Sequence, residues 1–141
     1  MTVTESNTTL KEGRVVSIAG PVIDVEFPQD ALPEINTALA FEVIVDGEST
    51  TVMAEVAQQI GDSRVRAVSL KPTDGLTRGT AVRNTGSGIE VPVGDVTLGH
   101  VWNVIGEPLD VDASTLEIDE KWEIHRPAPD FDSLEPSAKM F

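Results

Sequence analysis

Residues 13–27 hold two short runs rich in β-branched residues, 14–18 and 22–27, split by Gly20-Pro21. In the second run Ile23, Val25 and Phe27 fall on one side of an extended chain, with Asp24 and Glu26 on the other. Successive side chains of a strand point to opposite faces, so a period of two marks a strand with one buried and one wet face. Gly20 permits backbone angles closed to other residues, while Pro21 fixes φ and donates no hydrogen bond. Proline is tolerated where a strand begins, so the stretch reads as strand, sharp corner, strand. In the first run Val15, Val16 and Ile18 do not share a face. That is the pattern of a strand bending at a barrel corner or covered on both sides.

The rest of the first 85 residues repeats this texture. Residues 1–12 are polar and are expected to form a disordered tail. Pro28 and Pro33 bound a break, and residues 34–38 are expected to make one short helical turn. Residues 39–45 suit a strand, and Asp46-Gly47 is a strong type I′ hairpin signal. The returning strand places Val52, Ala54, Val56 and Ile60 on one face, with Met53, Glu55, Ala57 and Gln59 on the other. Gly61-Asp62 makes the next turn, and residues 64–70 run back, with a slip between Ala67 and Val68 that predicts a bulge or an edge. Pro72, Asp74, Gly75 and Gly79 form a turn-rich connection to a last short strand at 81–84. Six strands, tight turns and almost no helix define an all-β fold. A sheet this small avoids raw edges by closing, so a small closed six-stranded β-barrel is expected.

After residue 85 the texture changes. Gly86, Gly88, Pro92 and Gly94 suggest a linker with one extended piece at 89–93. Residues 98–105 are again apolar (Leu98, Val101, Trp102, Val104, Ile105) until Gly106-Glu107-Pro108 stops them. The remainder passes Pro127, Pro129 and Pro136 with one expected helical turn near 132–134, started by Asp130 or Asp132 as a cap. Residues 137–141 carry no stop signal, so the chain is expected to be cut off rather than finished.

Composition narrows the function classes. A length of 141 residues suits one domain, or one small domain plus the opening of another. The net charge is −14, and polyanions such as nucleic acid are poor partners for it. The imbalance is concentrated at 106–136, where carboxylates meet only Lys121 and Arg126. There is no cysteine, hence no disulfide framework and no thiolate metal site, which fits a reducing compartment. No apolar run approaches the ~18–20 residues that span a membrane. The polar N-terminus lacks a signal-peptide core, so the glycosylation pattern Asn7-Thr8-Thr9 reads as a chance match.

Candidate chemistry is sparse. Gly86-Ser87-Gly88 lacks the third glycine and following helix of a dinucleotide loop and reads as a linker. No glycine is followed by lysine, so the chain holds no phosphate loop of the Gly-Lys-Ser/Thr type. His100 and His125 lie far apart, without partners at metal-ligand spacing, and read as packed or surface side chains. The acidic cluster Asp110, Asp112, Glu117, Asp119 and Glu120 lacks the central glycine and residue order of a calcium loop and reads as solvated. Trp102, Trp122 and four phenylalanines are too few for a base-stacking platform. The residues therefore assign no catalytic, cofactor-binding or metal site.

Six ordered blocks nonetheless carry a resemblance. Residues 13–27 are similar to the opening of the catalytic β subunits of F-type ATP synthases. Residues 55–62 with Val65-Arg66 resemble that family's second hairpin, and residues 73–79 its barrel-closing turn. Thr85-Gly86, Ile89, residues 91–94 and 97–99 resemble its exit from the barrel. Residues 103–110 look like the opening strand of its nucleotide-binding domain, and residues 124–129 with Phe131 and Leu134 like the segment before its phosphate loop. The resemblance runs from about residue 13 to 141. It departs from the family pattern at Trp102, Pro127 and residues 137–140, and it lacks everything that would follow Phe141.

The resemblance implies a tail at 1–12, an N-terminal crown barrel at 13–94, and at 95–141 the irregular or extended start of an α/β nucleotide-binding domain. It implies a ring of alternating α and β subunits, with central-stalk and peripheral-stalk subunits as further partners and the membrane reached only through the complex. The implied location is the cytoplasmic face of the cell membrane. ATP, ADP and Mg belong to the full-length family. The family's catalytic residues would lie beyond Phe141, so this chain alone is expected to be inactive. The competing readings are a free-standing OB-like barrel that binds an oligonucleotide or sugar, against which charge and aromatic content argue, and a purely structural domain.

Overall fold

The computed structural model describes residues 11–134. Six strands, β1 (Gly13–Ala19), β2 (Val22–Glu26), β3 (Ala38–Val45), β4 (Glu48–Gly61), β5 (Arg64–Ser69) and β6 (Ala81–Asn84), form a closed barrel in the order β1-β2-β5-β4-β3-β6. Every pairing is antiparallel, and the barrel shuts where Gly13 faces Val82 and Arg14 faces Ala81. Beyond it, β7 (Glu90–Pro92) and β8 (Lys121–Glu123) make a two-stranded ribbon. The expected closed six-stranded barrel is the observed fold.

The period of two in 22–27 does what it predicts. Ile23, Val25 and Phe27 are buried, and they meet Val15, Leu39, Phe41, Val43, Val52, Ala54, Val56, Val65, Ala67 and Val82 in one core. Val16 is the extra residue of a β-bulge, since Val15 pairs Val25 and Ser17 already pairs Asp24. A bulge reverses parity, so Val15 and Ile18 both pack toward the core although they are three apart. That resolves the first run's unclear pattern. Gly13 is required by space: a Cβ there would stand 2.8 Å from the Phe27 ring and 2.9 Å from the Glu26 carbonyl.

Several expectations fail for local reasons. β5 alternates cleanly, with Val65, Ala67 and Ser69 buried and Val68 exposed, so no bulge interrupts Ala67 and Val68. The irregularities sit instead on its partner β4, at Ala57 and Ile60. Bulges bend a long strand around a barrel, and here they take Ile60 out of the row of Val52, Ala54 and Val56, leaving it half-buried. Gln59 stands opposite Val65 and donates to the Pro33 carbonyl at 2.9 Å.

The expected helical turn at 34–38 is a reverse turn with Asn36 at φ 68, closed by Thr37 N–H to the Glu34 carbonyl. The hairpin Asp46-Gly47 has the two positive φ angles of a type I′ turn, 53 and 85. The next turn centres on Asp62-Ser63 rather than Gly61-Asp62, because β4 runs through Gly61, which pairs Arg64. Lys11, assigned to the tail, is ion-paired with Asp30; residues 1–10 of that tail and the segment 137–141 lie outside the described residues.

The apolar stretch 98–105 and the block 103–110 form no strand, only a bridge between Trp102 and Pro108. Asn103 overrides the apolar pattern. Its Oδ1 accepts from Ile105 N–H (3.1 Å) and Glu107 N–H (2.9 Å) while its Nδ2 donates to Glu107 at 2.7 Å. A side chain that satisfies its own backbone in this way holds a turn against extension. The expected helical turn near 132–134 is a 3-10 turn at Phe131–Ser133, preceded by Asp130 without a side-chain cap.

Candidate functional site

Three regions of the described chain hold polar or apolar features available for function: the barrel exit, the barrel rim and the barrel wall. At the exit, Thr85 N–H and hydroxyl both reach the Ala38 carbonyl (3.1 and 2.7 Å), and Ala38 N–H reaches the Ser87 carbonyl at 2.8 Å. The loop Gly86-Ser87-Gly88 turns its amides inward on the chain's own side chains. Gly86 N–H donates to Asn84 Oδ1 (2.9 Å), Ser87 N–H to Thr85 Oγ1 (3.5 Å) and Gly88 N–H to Glu123 Oε1 (3.1 Å). A phosphate cradle needs such amides aimed outward at the ligand. Here they hold the exit in place.

The two histidines, which the sequence leaves unpartnered, each meet a carboxylate. His125 Nε2 lies 3.0 Å from Glu55 Oε2 on β4, and His100 Nδ1 lies 2.8 Å from Asp110 Oδ2. The His100 ring, together with Val101 N–H at 3.2 Å, holds the Asp110 carboxyl below the usual carboxylate range. Two of the other acidic residues are spent locally. Asp112 caps the 3-10 turn Ala113–Thr115 through Ser114 and is lowered by it, while Glu120 accepts the Trp122 indole at 2.7 Å. Among the described residues no three His, Asp or Glu converge on one metal position. Arg126 stacks over Trp122 at 3.6 Å. Glu34, residues 35–37, the exit loop, Glu123 and His125 line an open cleft of about 270 Å³ between barrel and ribbon.

The rim is apolar. Val43, Val45, Thr50, Val52, Lys71, Pro72 and Asp74 line a shallow depression of about 290 Å³, beside Ile44, which is 65 % exposed at the β3–β4 hairpin. The β2–β5 wall is polar. Arg66 forks onto Asp24 (2.8 and 3.0 Å), and Arg64 reaches Glu26 at 3.0 Å. The Arg66 hydrogen bonds hold the Asp24 carboxyl below its ordinary range. After the barrel, Leu98, Val101, Val104, Leu109 and Phe131 expose apolar surface.

The His125 pair escaped the sequence because closure, not spacing, brings Glu55 and His125 together across 70 positions. In comparison with known families, residues 15–86 match the model described as ATP synthase alpha/beta family, beta-barrel domain. The match covers half of the chain and coincides with the closed barrel.

Proposed function

The chain belongs to the ATP synthase alpha/beta family, and from that membership we propose that it is the N-terminal portion of the catalytic β subunit of an F-type, proton-translocating ATP synthase. In this reading the barrel joins the barrels of neighbouring α subunits in an alternating ring that the central and peripheral stalks engage. The complex makes ATP from ADP and phosphate using a proton gradient, at the cytoplasmic face of a membrane that this segment reaches only indirectly. ATP, ADP and Mg are held in the full-length subunit by a phosphate loop that these 141 residues do not contain.

The observation that carries the proposal is the coincidence of the family match with a barrel that closes on itself. A closed barrel has no free edge and one packed core, so it fixes position while domains attached to it open and close. The sequence blocks at 55–62, 73–79 and 124–129 favour the β subunit over its α relative. Sedimentation of the chain mixed with F-type α subunits tests it: a mixed ring is expected, and no complex would remove the reading. Assembly with β subunits in place of α would instead identify an α-type barrel.

A further inference from the structure

We infer that the rigid unit of this protein extends past the barrel: His125 straps the β7–β8 ribbon to the barrel wall at Glu55. The inference concerns the ribbon's attachment and holds whether or not the chain assembles into a ring.

Contacts of four kinds build it. The exit loop is tied to β3 through the Ala38–Ser87 and Thr85–Ala38 bonds, and Ile89, just outside the barrel, is only 4 % exposed. The ribbon is zipped at both ends, by Val93 N–H to the Glu120 carbonyl (3.1 Å) and Ile124 N–H to the Ile89 carbonyl (2.9 Å). Glu123 on β8 reaches back to Gly88 N–H. Last, His125 places Nε2 3.0 Å from Glu55, whose own position is held in the sheet between Ala38 and Val68.

One attachment at the exit loop would let the ribbon swing about Gly88. A second, 70 positions away in sequence on the barrel wall, removes that freedom, because the ribbon is then held at two separate points. The bond needs only the tautomer with hydrogen on Nε2, so the strap does not depend on a charged ring.

Amide hydrogen exchange on the full chain tests this, with variants Glu55→Ala, His125→Ala, their combination, and Glu55→Gln. Exchange at Ile124 N–H is expected to quicken about two- to five-fold in each alanine variant, the range an exposed pair supports. The double variant should exchange no faster than the singles. Glu55→Gln, which keeps an acceptor oxygen, should lie nearer the parent. Amides of β5 should not change. Should Glu55→Ala loosen β5, His125→Ala decides, because its side chain lies outside the barrel core. Unchanged Ile124 exchange in His125→Ala, or additive effects in the double variant, would overturn the strap.

Discussion

Burial sets the cost of a single side chain here. Val25 is fully buried, whereas its neighbour Glu26 is exposed beside Arg64. Val25→Asp puts an unpaired carboxylate in the core and should cost several kcal/mol of a total of about 5–15. Glu26→Gln should cost about 0.5 kcal/mol or less. Thermal melts compare them, and equal shifts would mean the strand faces are reversed. Gly75 gives a second contrast. It holds φ +83, and a Cβ would stand 2.5 Å from the Ile44 carbonyl; Gly47 has φ +85 but open space. Gly75→Ala should therefore cost about 2–3 kcal/mol and Gly47→Ala about 1, with the reverse order in urea titration refuting the tight packing. Asp24 supplies a pH test. Arg66 lowers its folded-state pKa, so its stabilisation is present above the unfolded value of about 3.9 and is lost as pH falls through the lower folded one. The pair is partly solvated and contributes about 1 kcal/mol at most. The gap in urea midpoint between the parent and Asp24→Asn should hold from pH 7 to about pH 5 and narrow as pH falls below about 4, and parallel curves would assign the Asp24 effect to packing instead.

Between elements, the contrast is between strands locked by neighbours on both sides and the stretch 95–120, whose only regular pieces are two 3-10 turns. A glutamate-specific protease should therefore cut at Glu117, which Ile118 follows, long before Glu26, Glu42 or Glu55, which sit within paired strands. Mass spectrometry of early fragments reads this directly, and first cuts inside the barrel would contradict it. The same contrast explains what the sequence discloses. Strand existence, the Asp46-Gly47 turn and the inward row of Ile23, Val25 and Phe27 depend on neighbours in sequence, so alternation and turn residues reveal them. The bulge at Val16 shows in the broken alternation of Val15, Val16 and Ile18, whereas those at Ala57 and Ile60 depend on how far a long strand must bend to close and leave no such mark. Asn103 was legible in principle, yet the apolar residues around it outweighed one polar side chain. The pairing of His125 with Glu55 was not legible at all, because both the barrel and the ribbon must form before the two meet.

At the scale of the whole molecule, charge and backbone bear on nucleotide together. Tight phosphate binding wants outward-facing amides, a lysine for the outer phosphates and a hydroxyl for the metal. In this chain the one glycine-rich candidate, at 86–88, spends its three amides on Asn84, Thr85 and Glu123. The cleft beside it is lined by Glu34 and Glu123, so a phosphate entering it meets carboxylates. The net charge of −14 adds a long-range repulsion that salt weakens but does not reverse. Calorimetry of this chain with Mg-ATP should give no saturable isotherm tighter than roughly 1 mM, the level at which only about 4 kcal/mol is in play. A micromolar isotherm lost on Gly88→Pro, which removes the amide facing Glu123, would place a nucleotide at the barrel exit and make this segment part of the catalytic machinery. A micromolar isotherm untouched by that change would point to the exposed stretch 95–120. Either outcome would end the view that this segment positions the ring while nucleotide is bound elsewhere.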